Sequence, residues 1–256
     1  MMTAETATPE SLLFPPGENE TLDDLLIGGM KLLQSRSGYR FSIDAVLLSM
    51  WTNLKNVRQA ADLGTGSGVI PLLLSQRSAT LSLDALELQP ALAERARKNV
   101  LNNALSHRIR VIPGDIRHVA DFLPPESCDL VLSNPPFFRV GEGIVNPNPE
   151  KATARHELSV TLADILSAGQ FLLHTGGRIA LILNAARLTE LVQFLSTSQL
   201  ALRRLRLVHP RADRPATMLL AEAVKLPRAA LTVDPPLFIY KPDGSYTPEI
   251  QSWYEI

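Results

Sequence analysis

Ala60-Ala61-Asp62-Leu63-Gly64-Thr65-Gly66-Ser67-Gly68, running on into an apolar stretch from Val69 to Gln76, reads as the end of a buried strand, a tight turn and a helix. Glycines at 64, 66 and 68 let the backbone approach a ligand where a Cβ would collide, and the helix that follows offers unpaired N–H groups. The same alternation continues outward. Leu81 to Leu88 reads as a second strand, Pro90 to Asn102 as a helix, Arg108 to Ile112 as a third strand and Cys128 to Leu132 as a fourth. Short apolar strands alternating with helices specify an α/β fold, a mostly parallel sheet with helices on both faces.

Downstream, a helix is expected from about Ser159 to His174, closed by a left-handed C-cap at Gly176-Gly177. Arg178 to Leu183 is a fifth strand, Ala186 to Leu200 a helix, and strands near Arg204 to Val208 and Met218 to Ala223 bring the sheet to seven. That order departs from simple βαβ repetition, so the last strands are expected to pair as an antiparallel hairpin. Residues 1–20, with Pro9, Pro15, Pro16 and Gly17, read as a flexible arm, and residues 21–55 as an extension ahead of the sheet. In that extension, strands are expected around Leu32-Leu33-Gln34, and a helix from Ser42, its N-cap, through Trp51. Residues 56–230 form the core, and the proline-rich tail 231–256 is expected as an irregular cover packed on it.

With 256 residues, 45% of them hydrophobic, the chain can fill one main domain with embellishments. A net charge of -1 gives no global attraction to a polyanion, so any nucleic-acid contact must come from a local patch. Cys128 is the only cysteine, which excludes an intrachain disulfide and a cysteine-rich zinc site; no metal is expected. No stretch reaches the roughly 18 apolar residues of a membrane span, and no basic segment precedes an apolar run, so a soluble cytoplasmic protein is expected.

No Gly-Lys-Ser or Gly-Lys-Thr follows the glycines, which disfavours a P-loop NTPase. Glu87, 25 residues beyond Asp62 at the end of the second strand, can accept both hydroxyls of a ribose, as in a dinucleotide dehydrogenase or for S-adenosylmethionine; otherwise it is an exposed strand-end acid. Asp62 separates these readings. A carboxylate immediately before the turn suits the amino-acid end of S-adenosylmethionine and repels a pyrophosphate, its other reading being loop capping. Asp115, in Gly114-Asp115-Ile116, is placed to meet an adenine amine or to cap a helix start.

The second informative segment is Asp129-Leu130-Val131-Leu132-Ser133-Asn134-Pro135-Pro136-Phe137. The two prolines stiffen the chain, so the Asn134 side-chain oxygen and the Pro135 carbonyl can converge on one amino group. Two acceptors there bind both hydrogens and favour the change from a planar, ring-conjugated nitrogen to a tetrahedral nucleophile. Phe137, and less readily Phe138, can hold a flat ring; core packing is the alternative. Cys128 is expected as a small core residue, and His156 is not needed as a base.

Asn-Pro-Pro-Phe with the Gly-Thr-Gly-Ser-Gly loop resembles the class I (Rossmann-like), S-adenosylmethionine-dependent methyltransferases that modify amines. The resemblance implies a seven-stranded, mostly parallel sheet with one antiparallel strand. It places the catalytic group on Asn134, Pro135, Pro136 and Phe137. The cofactor residues fall on Asp62, Gly64, Thr65, Gly66, Gly68, Glu87, Asp115 and Asn134. More narrowly, the run from Gln34 to Trp51, Ala154-Arg155-His156-Glu157, Val208-His209-Pro210-Arg211-Ala212 and Asp243-Gly244-Ser245-Tyr246-Thr247-Pro248-Glu249 is similar to the small-domain bacterial enzymes that N6-methylate the adenosine beside the anticodon of a valine tRNA. That resemblance implies that Tyr39, Arg40, Phe41 and Asp44 line the cofactor entrance. The chain departs from the pattern at Pro215-Ala216-Thr217, where Pro-Ala-Asn is implied.

Arg203, Arg204, Arg206, Arg211 and Arg214, with His209, and Lys151 and Arg155 after the target segment, form candidate basic surfaces for tRNA, or a solvated strand edge. No obligate protein partner is evident. The leading expectation is a tRNA adenosine N6-methyltransferase. A methyltransferase acting on protein glutamine and a noncatalytic S-adenosylmethionine- or RNA-binding module are the alternatives, with a dehydrogenase behind them.

Overall fold

The computed structural model describes residues 12–25, 27–37, 40, 42–135 and 160–255. The leading piece is an antiparallel hairpin of β1 (Glu20–Asp24) and β2 (Lys31–Ser35), followed by α1 (Ile43–Trp51). Ser42 does stand at the N-cap position, but its hydroxyl donates to Asp44 Oδ2 (2.5 Å) and makes no capping bond to the helix backbone.

The expected unit follows as β3 (Gln59–Leu63), α2 (Val69–Arg77), β4 (Ser82–Glu87), α3 (Pro90–Asn102), β5 (Ile109–Pro113) and β6 (Cys128–Ser133). Then come α4 (Leu162–Leu172), β7 (Leu173–Asn184), α5 (Leu188–Leu195), β8 (Leu200–His209), β9 (Met218–Lys225), β10 (Thr232–Val233), β11 (Leu237–Phe238) and α6 (Pro248–Ser252). The sheet order is β10-β8-β9-β7-β6-β3-β4-β5, with β11 also on β8. β9 runs antiparallel to both its neighbours, β7 and β8, and the other described pairs of this sheet are parallel. This mixed sheet flanked by helices agrees with the Rossmann-like expectation, but it holds nine described strands where seven were expected, because the tail adds β10 and β11 alongside β8.

Both faces are covered, and the strands show it by alternation. Ala60, Leu130, Leu132, Ala180 and Ile182 pack into a cluster with the hairpin, α1 and α2. Their neighbours Ala61, Leu63, Val131, Ile179 and Leu181 pack into a second cluster with α4 and α5.

Three boundaries differ from the sequence reading. Helix α4 starts from a reciprocal capping box between Thr161 and Asp164 and ends at Leu172, where the chain passes directly into β7. Gly176-Gly177 therefore caps no helix. Cys128 pairs with Leu173 but Leu130 with Arg178, so residues 174–177 bulge out of β7. Gly176 supplies a φ of +86°, and a Cβ on Gly177 would lie 3.1 Å from the Cys128 carbonyl oxygen. From the bulge His174 reaches Asp129 at 3.0 Å, and the other oxygen of Asp129 accepts the N–H groups of Arg58 and Gln59.

Helix α5 is also shorter than expected. Ser196, Thr197 and Ser198 turn their hydroxyls onto the carbonyls of Gln193, Phe194 and Leu195, an alternative to continuing the helix, and β8 begins at Leu200.

The tail, expected to be irregular, extends the sheet. Val233 pairs with Leu205 and Leu237 with Val208, so the chain spends four residues where β8 spends three; Pro235 and Pro236, which cannot donate to a ladder, occupy the interruption. Arg206 anchors this tail through the Pro235 carbonyl (2.8 Å) and both oxygens of Glu249 (2.6 and 2.8 Å). Arg206→Ala is expected to cost about 2 kcal/mol and to increase proteolysis after residue 230; urea unfolding with limited proteolysis measures both, and an unchanged midpoint contradicts the anchoring role.

Candidate active site at the carboxyl edge of the sheet

The parallel strands end side by side, and the two informative segments meet there. Asp62 is in register with Leu132, and the Ser133 hydroxyl donates to the Leu63 carbonyl at 2.7 Å, so Asn134, the residue after β6, leaves the sheet at the same edge as the glycine turn. Asn134 is half-buried and Pro135 buried. Pro136, Phe137 and Phe138 lie outside the described residues, as do Tyr39, Phe41, Lys151, Arg155, His156 and Glu157.

The glycine turn depends on backbone conformation. Gly64, Gly66 and Gly68 adopt φ of +80°, +60° and +85°, and Gly68, the N-cap of α2, also faces Ala96 so closely that a Cβ would sit 3.3 Å from it. The turn is tied to β4: the Gly64 and Thr65 N–H groups donate to the Leu86 carbonyl at 3.0 and 2.9 Å. Glu87 completes the tie. Its oxygens accept the Gly66 N–H at 2.8 Å and the Gln89 N–H at 2.9 Å. Burial pushes its carboxyl above the usual range in spite of those bonds. Each oxygen keeps a further lone pair for a hydroxyl donor.

Asp62 is the outstanding group. It is fully buried at 0% exposure, and neither carboxylate oxygen has a hydrogen-bond partner among the described residues; the Thr65 hydroxyl, buried nearby, also lacks one. Burial drives the Asp62 carboxyl up to about 7, opposed by the closeness of the Thr65 hydroxyl and assisted by the charge of Glu87. Strand alternation puts Ala60 and Ala85 in the cluster beneath the hairpin and α1, so Asp62 and Glu87, each two residues further on, lie on that same face.

Asp44 is buried at the start of α1, its carboxyl raised by burial and partly restored by Ser42. Asp115 caps the short 3₁₀ helix at Ile116–Asp121 through the Arg117 N–H (2.9 Å) and pairs with the Arg117 guanidinium, which holds its carboxyl below the usual range. It adjoins Glu87, whose carbonyl accepts the Gly114 N–H at 2.9 Å.

Asn99 was not singled out by sequence. Fully buried on α3, it accepts the Leu33 N–H (2.6 Å) and donates to the carbonyls of Leu33 (3.1 Å) and Ser67 (2.9 Å), tying β2 to the glycine turn. Asn103 brackets Lys31 and Asn102 brackets Phe14 in the same two-way manner. The signal was three asparagines in Asn99-Val100-Leu101-Asn102-Asn103, poor helix formers at the end of an otherwise good helix. Asn99→Ala leaves three buried backbone groups unmatched and is expected to cost ~3 kcal/mol or more and to weaken ligand binding at the turn. Denaturant unfolding and ligand titration measure the two, and a loss below about 1 kcal/mol contradicts the tie.

The arginine cluster separates into two kinds. Arg204 pairs with Asp234 (2.7 Å) and covers the Trp51 ring at 4.4 Å, and Arg206 holds the tail, so neither belongs to an open basic face. Arg203 and Arg214 are exposed and Arg211 half-exposed. Cys128 is a core residue whose thiol burial pushes up to about 11. Among the described residues no cluster of three or more His, Cys, Asp or Glu could hold a metal, and no helix is long and apolar enough to cross a membrane.

Two buried carboxylates beside a left-handed glycine turn suit a ligand carrying a cation and hydroxyl groups, and disfavour a pyrophosphate. The family model described as "Methyltransferase small domain" matches residues 42–192, which span β3, the turn, Glu87 and Asn134. The chain belongs to the methyltransferase small domain family.

This methyltransferase small domain protein is 32% identical over 218 residues to the tRNA1(Val) (adenine(37)-N6)-methyltransferase of Tolumonas auensis, covering 84% of this chain and 88% of that one. It is 31% identical over 226 residues to the protein of the same name from Porphyromonas gingivalis, covering 84% and 87%. A crystal structure described as a predicted O-methyltransferase from Agrobacterium tumefaciens superposes with a TM-score of 0.66 at 24% identity, over 83% of this chain and 95% of that one, which shows the shared fold. The orphaned Asp62 carboxylate and the available lone pairs of Glu87 fit S-adenosylmethionine, which carries an ammonium group and ribose hydroxyls.

Proposed function

We propose that this protein transfers a methyl group from S-adenosylmethionine to the exocyclic N6 amine of an adenosine in tRNA, beside the anticodon of a valine tRNA, in the cytoplasm. The observation that carries the reading is the likeness along 84% of the chain to the Tolumonas auensis enzyme; Asn134 and the glycine turn following adjacent parallel strands at the same edge of the sheet supports it.

Asp62 accepts from the cofactor's ammonium group and thereby gains the partner it lacks. Glu87 accepts from the ribose hydroxyls while its bonds to Gly66 and Gln89 keep the turn in shape. Asp115 meets the adenine amine, exchanging part of its pairing with Arg117. Residues 21–55, with Tyr39 and Asp44, cover the entrance, held to the turn through Asn99. The cofactor supplies an electrophilic methyl on a sulfonium.

At the target end the Asn134 Oδ1 and the Pro135 carbonyl accept the two amine hydrogens, drawing the nitrogen lone pair out of conjugation; Pro136 fixes the backbone and Phe137 stacks on the base. The proton released after transfer passes to water. A glutamine amide presents the same two hydrogens, so substrate partition is the test. Purified protein is incubated with methyl-labelled S-adenosylmethionine, small RNA from a strain lacking the gene and the matching protein extract. Label in RNA is the expected result; label confined to protein overturns the RNA assignment.

A further inference from the structure

Because β8 runs parallel to β3 and β6, its end at His209 and the loop that follows reach the same edge of the sheet as Asn134. Register sets the offset: Val208 pairs with Met218 and Met218 with Asn184, which stands three residues beyond Leu181, the partner of Ser133, so the end of β8 projects roughly 10 Å further out along the strand direction than the end of β6. Three strand spacings, roughly 14 Å, separate β6 from β8. Beside that loop lies an open depression of about 430 Å³ lined by Pro210, Arg211, Arg214, Tyr240 and Gly244.

Its walls are fixed. The His209 ring bonds the Arg214 carbonyl (2.8 Å), the Arg214 N–H returns to the Arg211 carbonyl (3.1 Å), and the Tyr240 N–H donates to the Pro210 carbonyl (2.9 Å). Tyr240 stacks on Tyr246, with centroids 5.4 Å apart and planes 15° apart, and Tyr246 stacks in turn on Tyr254. Tyr240 is nevertheless 37% exposed. Arg211 and Arg214 share one carboxylate, Asp213, at 3.7 and 3.8 Å, and that carboxylate is itself 70% exposed, so the loop carries a surplus positive charge. Arg204 and Arg206, committed to Asp234 and Glu249, are unavailable.

We infer that Arg211, Arg214 and Tyr240 form a docking subsite for the single-stranded nucleotides flanking the target adenosine, the guanidinium groups on phosphates and the tyrosine under a base. This rests on the tRNA reading. Two donors of fork geometry meet the backbone while an aromatic face accepts any base, which suits an anticodon loop lying along the edge of the sheet a few nucleotides from the target.

The test uses the full chain and an RNA hairpin carrying the anticodon stem-loop of a valine tRNA. R211A/R214A is expected to raise the RNA dissociation constant about 10-fold or more and to reduce the slope of log affinity against log salt by about 1.5. The loss should fall on KM rather than kcat, and S-adenosylmethionine affinity serves as the control for folding. Asp213→Asn, which releases both arginines, is expected to tighten RNA binding about 2- to 5-fold. Tyr240→Leu should weaken it about 5-fold or more, with recovery in Tyr240→Phe. Methylation by wild type with unchanged affinity and salt slope in R211A/R214A overturns the subsite alone; absence of any RNA binding by wild type overturns it together with the tRNA reading.

Discussion

Asn134→Ala is expected to lower methyl transfer roughly 10²- to 10³-fold while S-adenosylmethionine binds within about twofold of wild type, the scale of removing one transition-state polar contact. The asymmetry follows from place. On the proposed reading the cofactor's ammonium group and ribose hydroxyls fall to Asp62 and Glu87, which the substitution leaves intact, whereas the target amine loses the acceptor that holds one of its hydrogens. Asn134 is half-buried at the end of β6, so its truncation opens no large cavity in either core cluster. Single-turnover kinetics with saturating cofactor, beside calorimetric titration, separate the two quantities. An unchanged turnover rate removes Asn134 from the chemistry, and a parallel collapse of cofactor affinity assigns it to binding.

Asp62→Asn is expected to stabilise the ligand-free protein at alkaline pH and to weaken the cofactor about 10- to 100-fold, the range for losing a hydrogen bond to a charged group. The native carboxyl is raised from 3.8 to about 7, so the unfolded chain gives up this proton first. The contribution to stability is therefore complete below pH 3.8, declines as pH rises and is lost once pH passes about 7. Fully ionised, the unpartnered carboxylate costs the native state ~4 kcal/mol at 1.36 kcal/mol per pH unit. Asparagine fits the same space without that charge. Glu87, also raised by burial, shifts stability in the same direction in both proteins, so the difference between them reports Asp62 together with its coupling to Glu87. Thermal unfolding from pH 5 to 8.5 should show the variant gaining on wild type with pH, with the order reversed by saturating S-adenosylmethionine. A constant difference across that range would mean that Asp62 is neutralised by a partner in the free protein.

The core of the fold was legible because its signals are local and reinforce one another. Alternate apolar residues in Leu130-Val131-Leu132 serve two faces, and glycines at 64, 66 and 68 satisfy a backbone requirement that other residues meet poorly. The boundaries that failed were decided by neighbours. Gly176-Gly177 carries the chemistry of a helix cap, but the helix had already given way to β7, and the pair was used for a bulge packed against Cys128. The tail reads as irregular because Pro235 and Pro236 interrupt it; only the unpaired edge of β8 makes two short strands of what lies on either side.

The candidate site divides in the same way. Asp62, Glu87 and the glycines were legible as neighbours because residue type and order alone put them at strand ends. Asn99 was overlooked because its importance lies in what it reaches, Leu33 and Ser67, which are 66 and 32 residues away. The arginines misled for the opposite reason. Sequence clusters Arg203, Arg204, Arg206, Arg211 and Arg214, but a strand sends neighbours to different surroundings, and Asp234 and Glu249, distant in sequence, claim Arg204 and Arg206.

The most direct test begins with tRNA from a strain lacking the gene, incubated with purified protein and S-adenosylmethionine, digested and analysed by mass spectrometry. N6-methyladenosine beside the anticodon of a valine tRNA, present with wild type and nearly absent with Asn134→Ala, is the predicted result. RNA left unmodified by a protein that binds the cofactor normally contradicts the assignment.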